Sequence, residues 1–301
     1  MTINTAQIQQ LLRPGLAEVF GDYPMYPAEY TEIFSMHTSD KAVEIEVEMK
    51  LLGLASTKAE GAPTAFQDMG QRVISTYYHR YTSVGFIITR QAQKDNLYES
   101  QFPLQAQSLR NSMLQSKEVN GASVFNNGFA AGFPGGDGVA LFSTAHPIDT
   151  GTFANTPTVQ TDLNESSLQD AITSVSQFRD QAGLITMTKP QKLIVPPQLQ
   201  FTADRLLHSQ FRTGTANNDI NAIYNMGAVP EGYRVNHFLT DTNAWFLLTD
   251  APNGLKHYVR EKLETDVFTD FSSDNLLAKA IERYSFGWSN SRASFASSGA
   301  T

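Results

Sequence analysis

The sequence predicts an α+β protein, and three stretches carry that expectation. Val43, Ile45, Val47, Met49 and Leu51 alternate with Glu44, Glu46, Glu48 and Lys50, the period of a strand with one wet face. Residues 103–129 read as a long helix, with Pro103 at its start and a Gly-rich breaker, residues 128–136, at its end. A second helix is predicted over 164–182, where Leu168, Ala171, Ile172, Val175 and Phe178 form one stripe. Asp162 or Asn164 is suited to cap its start, and Gly183 to end it.

In chain order, residues 1–41 read as an arm. Ile8, Leu11 and Leu12 begin a short amphipathic helix that Pro14-Gly15 interrupts. Gly21 to Pro27 is extended and aromatic-rich, a composition that needs a second surface to bury against; packing on its own domain is the alternative. The alternating strand follows, then a turn-rich section from Gly53 to Gly70, then strand character from Val73 through Tyr78 to Ile88. Two strands joined by so long a loop predict a protruding hairpin, because such loops are uncommon inside compact domains. Its glutamates are expected to face water and to discourage edge-to-edge aggregation.

The long helix, at about 25 residues, is a rod of roughly 38 Å. Its apolar residues fall on two sides: Ala106, Leu109, Met113 and Val124 on one, Leu104, Leu114, Ala122, Phe125 and Phe129 on the other. That pattern suits a helix touched on more than one side, with a single core helix as the alternative. The glycine-rich loop 132–138 lacks the Lys-Ser/Thr of a phosphate-binding loop and reads as a turn, followed by a short strand at Val139–Phe142. Leu193-Ile194-Val195 is an apolar strand, and Pro196-Pro197 then starts a helix with Leu199, Ala203 and Leu206 on one side. Residues 214–233 are loop-rich with one helical turn. Strands return at 244–248 and about 255–267. The last strand sets Ala278, Ala280, Tyr284, Phe286 and Trp288 against Lys279, Arg283 and Ser285, before a small, polar tail.

The 301 residues suffice for one large or two interwoven domains. With 17% charged residues the surface is sparsely ionic, which fits surfaces that become interfaces. A net charge of -8 argues against tight nonspecific nucleic-acid binding through one basic face. No run of 18 apolar residues predicts a membrane span, and the N-terminus lacks the pattern of a signal peptide. The absence of cysteine removes disulfides and thiolate metal sites.

No active site is legible. The histidines, His37, His79, His146, His208, His237 and His257, show no metal-ligand spacing, and no GxSxG elbow accompanies a workable His and Asp. Asp250 to Gly254 is turn chemistry with Asn253-Gly254 as its strongest signal. No catalytic, cofactor-binding or metal residue is assigned, and the chain is not expected to be an enzyme. An unseen hydrolase would have His146 or His237 as its best candidates.

Longer strings are more specific. Lys192-Leu193-Ile194-Val195-Pro196-Pro197 with Leu199-Gln200-Phe201 resembles the major head proteins of tailed bacteriophages. The resemblance continues through Gly214 to Ala222, Pro230-Glu231-Gly232-Tyr233, Asn236 to Asp241, Ala244 to Asp250, Asn253 to His257 and Glu282 to Trp288. Gly135 to Leu141 and Ser143-Thr144-Ala145-His146-Pro147 look like the Mu-like head subunits in particular.

The resemblance implies the Hong Kong 97 phage shell fold. Residues 1–41 would be the N-arm, 42–88 the extended E-loop hairpin, 89–192 the P-domain with its spine helix, 193–254 the A-domain, and 255–301 strands returning to the P-domain. It implies a major capsid protein that self-assembles through hexamers and pentamers into an icosahedral shell around phage double-stranded DNA. Such a shell would not bind the DNA by sequence. Its partners would be a portal and scaffolding or decoration proteins, with no cofactor and no membrane. Its place would be the virion, after assembly in the host cytoplasm. Because the sequence begins directly at the arm, a separate scaffold, prior cleavage and scaffold-free assembly all stay open. Lys50 and Lys58 lie near or in the hairpin loop, but no Asn or Glu is identified to cross-link them. An encapsulin-like compartment of the same fold is the alternative reading.

Overall fold

The structure, a computed structural model, describes residues 27–94, 102–212 and 219–300. The expected helix around Ile8 and the Gly214 to Asn218 part of the resemblance lie outside these residues. In chain order the elements are β1 (Ser35–Thr38), β2 (Val43–Met49), β3 (Gln71–Tyr78), β4 (Arg80–Ile88), α1 (Arg90–Lys94), α2 (Phe102–Asn126), β5 (His146–Ile148), β6 (Gly151–Phe153) and α3 (Glu165–Ser176). They continue with β7 (Pro190–Val195), α4 (Gln200–His208), α5 (Ala222–Asn225), β8 (Tyr233–Val235), β9 (Trp245–Thr249), β10 (Leu255–Thr269), β11 (Leu276–Trp288) and β12 (Ser294–Ser297).

Two compact units interleave along the chain. The first takes the described residues up to Val43, those from Tyr78 to Gly121, and His257–Phe286; the second takes Glu44–Tyr77, Ala122–Lys256 and the described residues from Gly287. Helix α2 supplies both, changing units after Gly121.

The first unit is built on a sheet of order β1-β10-β11-β4. β4 and β11 run antiparallel, from Leu276 opposite Ile88 to Tyr284 opposite Arg80. At Gly85 an added Cβ would stand 2.7 Å from the Ala278 carbonyl oxygen, so only glycine admits this approach. The alternation of β11 holds from Leu276 to Tyr284, with Leu276, Ala278, Ala280 and Tyr284 buried, and breaks at Ser285, which is buried beside a half-buried Phe286; α2 packs on this layer through Ala106, Leu109 and Met113. Glu282 shares the buried face, a charge the pattern did not place inside.

Helix α2 runs from Phe102 to Asn126, close to the predicted span. Its buried residues, Ala106, Leu109, Arg110, Met113, Lys117, Glu118, Ala122 and Phe125, include members of both expected apolar sides, Ala106, Leu109 and Met113 of one and Ala122 and Phe125 of the other. Three charged side chains, Arg110, Lys117 and Glu118, are buried as well, which an apolar count does not foresee.

The second unit contains a sheet of order β12-β9-β7-β8, with β7 parallel to β8 and antiparallel to β9. One face carries Leu193, Val195, Trp245 and Leu247 against Leu168, Ala171 and Val175 of α3 and Ala203 and Leu206 of α4. On the other face Phe246 meets Phe125, Phe129 and Phe142, with ring centroids 4.7 to 6.3 Å apart. Cover on both faces is why Leu193-Ile194-Val195 reads as an unbroken apolar run. The Asn164 side chain accepts from Ser167 N at 2.8 Å, and Ser167 Oγ accepts from Asn164 N, a capping box that fixes the start of α3.

The structure departs from the predicted segmentation at several points. α3 ends at Ser176, and Gly183 serves a later turn with φ of 86°. Val139 to Phe142 forms no strand, although Ala140, Leu141 and Phe142 are buried. The β5–β6 hairpin and β1 were not foreseen; strands of three or four residues are too short for a periodicity to show. The strand expected to run from Val73 to Ile88 is broken at His79, whose ring nitrogens bond Ser39 Oγ at 3.2 Å and Ser285 Oγ at 3.1 Å. The hairpin therefore closes at Tyr78, and β4 joins the first unit's sheet. Helix α3 shares its core with β7 and β9.

Candidate assembly surfaces

The hairpin of β2 and β3 inverts the face expected of it. Glu44, Glu46 and Glu48 are half-buried, while Ile45 is 59% exposed and Val47 and Met49 are also exposed. On β3, Val73, Ser75 and Tyr77 are buried and Ile74, Thr76 and Tyr78 are exposed. The alternation is as predicted, but the wet face of the isolated chain is the apolar one. The connecting residues carry the same character: Leu54 is 81% and Phe66 93% exposed, with Met69 exposed beside them. An exposed apolar row of this length is the kind of surface through which proteins contact one another.

Within the second unit, polar anchors hold the inner face of the hairpin to other segments of the same unit. Glu46 accepts from Lys256 Nζ at 2.5 Å and from Ser289 Oγ at 2.5 Å. Ser289 Oγ also bonds Tyr77 OH at 2.5 Å. Glu48 accepts from Gln181 Nε2 at 2.7 Å and lies 3.7 Å from the Arg292 guanidinium. Arg72 donates to Asp149 at 2.5 Å and to the Pro147 carbonyl at 2.9 Å. These charges are paired and hydrogen-bonded, the condition under which they tolerate burial. Their partners lie up to 243 residues away in sequence, so local periodicity had no access to them. Beside the anchors opens a groove of about 680 Å³, lined in part by Val47, Met49, Gln181, Met187, Asp250 and Arg292.

The first unit buries a second polar cluster. Glu118 accepts from the backbone N–H of Glu29 at 2.9 Å and of Tyr30 at 3.1 Å, seating the turn Glu29–Glu32. Tyr30 and Phe34 pack edge-on against Phe286. The described end of the expected arm thus packs on its own chain. Lys117 forms an ion pair with Glu282 and places its ammonium 5.5 Å from the Tyr284 ring centre and 5.7 Å from that of Tyr30. Burial raises the Glu118 and Glu282 carboxyls above their ordinary range, and burial with the nearby Glu282 and Glu118 charges pushes the Tyr30 hydroxyl up to about 12.

His257 is wholly buried and stacks on Phe286 at 4.2 Å. Burial first, and the Lys117 charge second, lower its pKa to about 4. The unfolded chain therefore binds this proton near pH 6.5 while the folded chain does not, so stability present above pH 6.5 is lost as the pH falls toward 4. The raised carboxyls act in the opposite sense, taking up protons in the folded state first. His257→Phe is expected to flatten the fall in thermal stability between pH 6.5 and 4.5, a difference of up to roughly 3 kcal/mol. Parallel melting curves for the variant and the parent would remove histidine as the cause.

The two candidates for chemistry, His146 and His237, lie in different settings. His146 bonds Asp137 through Nδ1 at 2.6 Å, and its Nε2 lies 3.2 Å from both the Leu141 carbonyl and Asn155 Oδ1, so it is enclosed and engaged on both nitrogens. His237 is exposed on the loop after β8. Lys50 and Lys58 are exposed, and no group of His, Asp or Glu suited to a metal occurs among the described residues. No described helix is long and apolar enough to cross a membrane. Other exposed apolar residues are Phe201, Ile220 and Met226 around α4 and α5, and Phe271 at the tip between β10 and β11.

Comparison with known proteins agrees with the fold. The capsid of a native GTA particle superposes with a TM-score of 0.58 at 13% identity, covering 93% of this chain and 92% of that one. The procapsid of bacteriophage JBD30 gives 0.53 at 15% identity, covering 98% and 76%. The virus-like particle from Pyrococcus furiosus gives 0.52 at 10% identity, covering 96% and 98%. These likenesses establish the α+β shell fold of phage heads, the Hong Kong 97 fold. A search of curated protein sequences finds no match. The model of the phage capsid protein family matches residues 79–296, most of the chain. This chain belongs to the phage capsid protein family.

Proposed function

We propose that the chain is the major subunit of an icosahedral phage head, assembling with copies of itself into a shell around double-stranded DNA. The observation that carries the reading is the inverted hairpin: its charged face is consumed by its own chain, and its apolar face and loop stay open. Assembly is the mechanism, with no catalytic turnover. Many modest contacts repeated around each subunit make a stable shell from individually weak pairs, which permits correction of errors during growth. The exposed residues Phe201, Ile220 and Met226 suit contacts around the hexamer and pentamer axes. A net charge of -8 suits a lining that contains DNA without gripping it. A portal, scaffolding or decoration proteins and assembly in the host cytoplasm complete the proposal.

Sedimentation and electron microscopy of the purified protein, alone and with the scaffolding protein of its phage, test it. Shell-sized particles are expected, and a monomer at all concentrations under both conditions would overturn it. Deleting residues 53–70 is expected to leave a folded subunit that assembles poorly, since the exposed loop contributes little to its own chain. Normal particles from that deletion would remove the hairpin from the mechanism. The compartment reading shares the fold and is favoured only if the particles contain enzyme cargo in place of DNA.

A further inference from the structure

Asn253 and Gly254 form the turn that leads into β10, and four features of this turn belong together. Asn253 is exposed and lies in the left-handed region at φ 56°, and the next residue has no side chain. The Gly254 N–H donates to no acceptor among the described residues, so its nitrogen is not tied into the fold. The Asn253 carboxamide nitrogen likewise donates to no acceptor among the described residues; the side chain bonds through its oxygen alone. Its carboxamide oxygen accepts from Lys256 Nζ at 3.1 Å, and the same ammonium is held in place by Glu46 at 2.5 Å.

We propose that Asn253-Gly254 is a self-modifying site, where Lys256 promotes conversion of the asparagine to isoaspartate and aspartate. The Gly254 nitrogen, losing its proton to water, attacks Asn253 Cγ and forms the new C–N bond of a five-membered imide. The negative charge that develops on Oδ1 sits against the Lys256 ammonium, a fixed donor at the atom where charge appears. The Cγ–Nδ2 bond then breaks, and Nδ2 leaves with a proton as ammonia. Water opens the imide at either carbonyl, giving isoaspartate or aspartate with no oxidant or cofactor. The product carboxylate stands beside the ammonium that tethers Glu46, so modification competes with one anchor of the β2–β3 hairpin.

The sequence holds its own controls. Its other Asn-Gly pairs are Asn120-Gly121 and Asn127-Gly128. Asn120 and Gly121 lie inside α2, and the Asn120 carboxamide donates to Tyr284 OH at 2.8 Å. Gly128 N–H donates to the Phe125 carbonyl at 2.9 Å. Both nucleophilic nitrogens are thus occupied by hydrogen bonds.

The full-length protein is incubated at neutral pH in heavy-oxygen water, digested, and sequenced by electron-transfer mass spectrometry. Label and isoaspartate are expected at residue 253 at least about tenfold faster than at 120 or 127, and Lys256→Met is expected to slow residue 253 by about tenfold. Lys256→Arg, which keeps a cation there, is expected to retain most of the rate. Equal rates at the three pairs in the unaltered protein would overturn the proposal without any variant. An unchanged rate in Lys256→Met, with circular dichroism showing a folded chain, would overturn the part given to Lys256.

Discussion

A subunit carrying both Ile45→Glu and Val47→Glu is expected to fold normally and to form no shells. Both positions are exposed in the single chain, so the substitutions should change subunit stability by no more than about 0.5 kcal/mol each. In a shell the same residues would be covered, and each new carboxylate would lose its water without gaining a partner, at a cost of several kcal/mol per site. That cost recurs at every copy, which is why two substitutions suffice. Sedimentation velocity reads the loss of particles, and far-UV circular dichroism with thermal melting reads the retained fold. Particles of normal size from this variant would show that the apolar face of the hairpin is no interface. Glu44→Gln, on the opposite face, serves as the matched control.

The second large effect lies in the first unit. Glu282→Leu leaves the Lys117 ammonium buried against Tyr30 and Tyr284 without its carboxylate. Breaking a buried pair by removing one partner costs about 3–5 kcal/mol, a fall in Tm of roughly 10 °C for a unit of this size. The double change Lys117→Met with Glu282→Leu is expected to recover most of that loss, because two apolar side chains of similar volume leave no charge behind. Urea unfolding of both single variants and the double completes the cycle. Additive losses would mean the pair is screened and its coupling small.

Much of the architecture was legible in the sequence, and for identifiable reasons. Helix α2 announced itself through Pro103 and the glycines after residue 127, because the first fixes φ at a helix start and the second cannot sustain a helix. Asn164 was read as a cap and is one, since capping is a local hydrogen bond within four residues. The period of β2 was correct from Glu44 to Met49. Which face of that strand turned inward was not legible, because alternation is symmetric: a strand with acids on one side and aliphatics on the other can turn either face to its chain. The aliphatic face would be the default choice for burial. It lost because Lys256, Gln181, Ser289 and Arg292 converge on the acids from distant segments.

The same limit explains the charges buried on α2. Lys117 and Glu118 look like solvated residues in any window of sequence, and become buried because Glu282 and the backbone of Glu29 and Tyr30 arrive from far along the chain. The break at His79 depends on hydroxyls of Ser39 and Ser285 in the same way. By itself, the sequence determined the kinds of elements, their order, the turn at Asn253-Gly254 and the kinship to phage head proteins, all of which rest on local propensity or on ordered strings of residues. Only the tertiary structure decided which faces are buried and which charges are paired. Burial of a polar group is set by the partner that meets it, and no local pattern contains that partner.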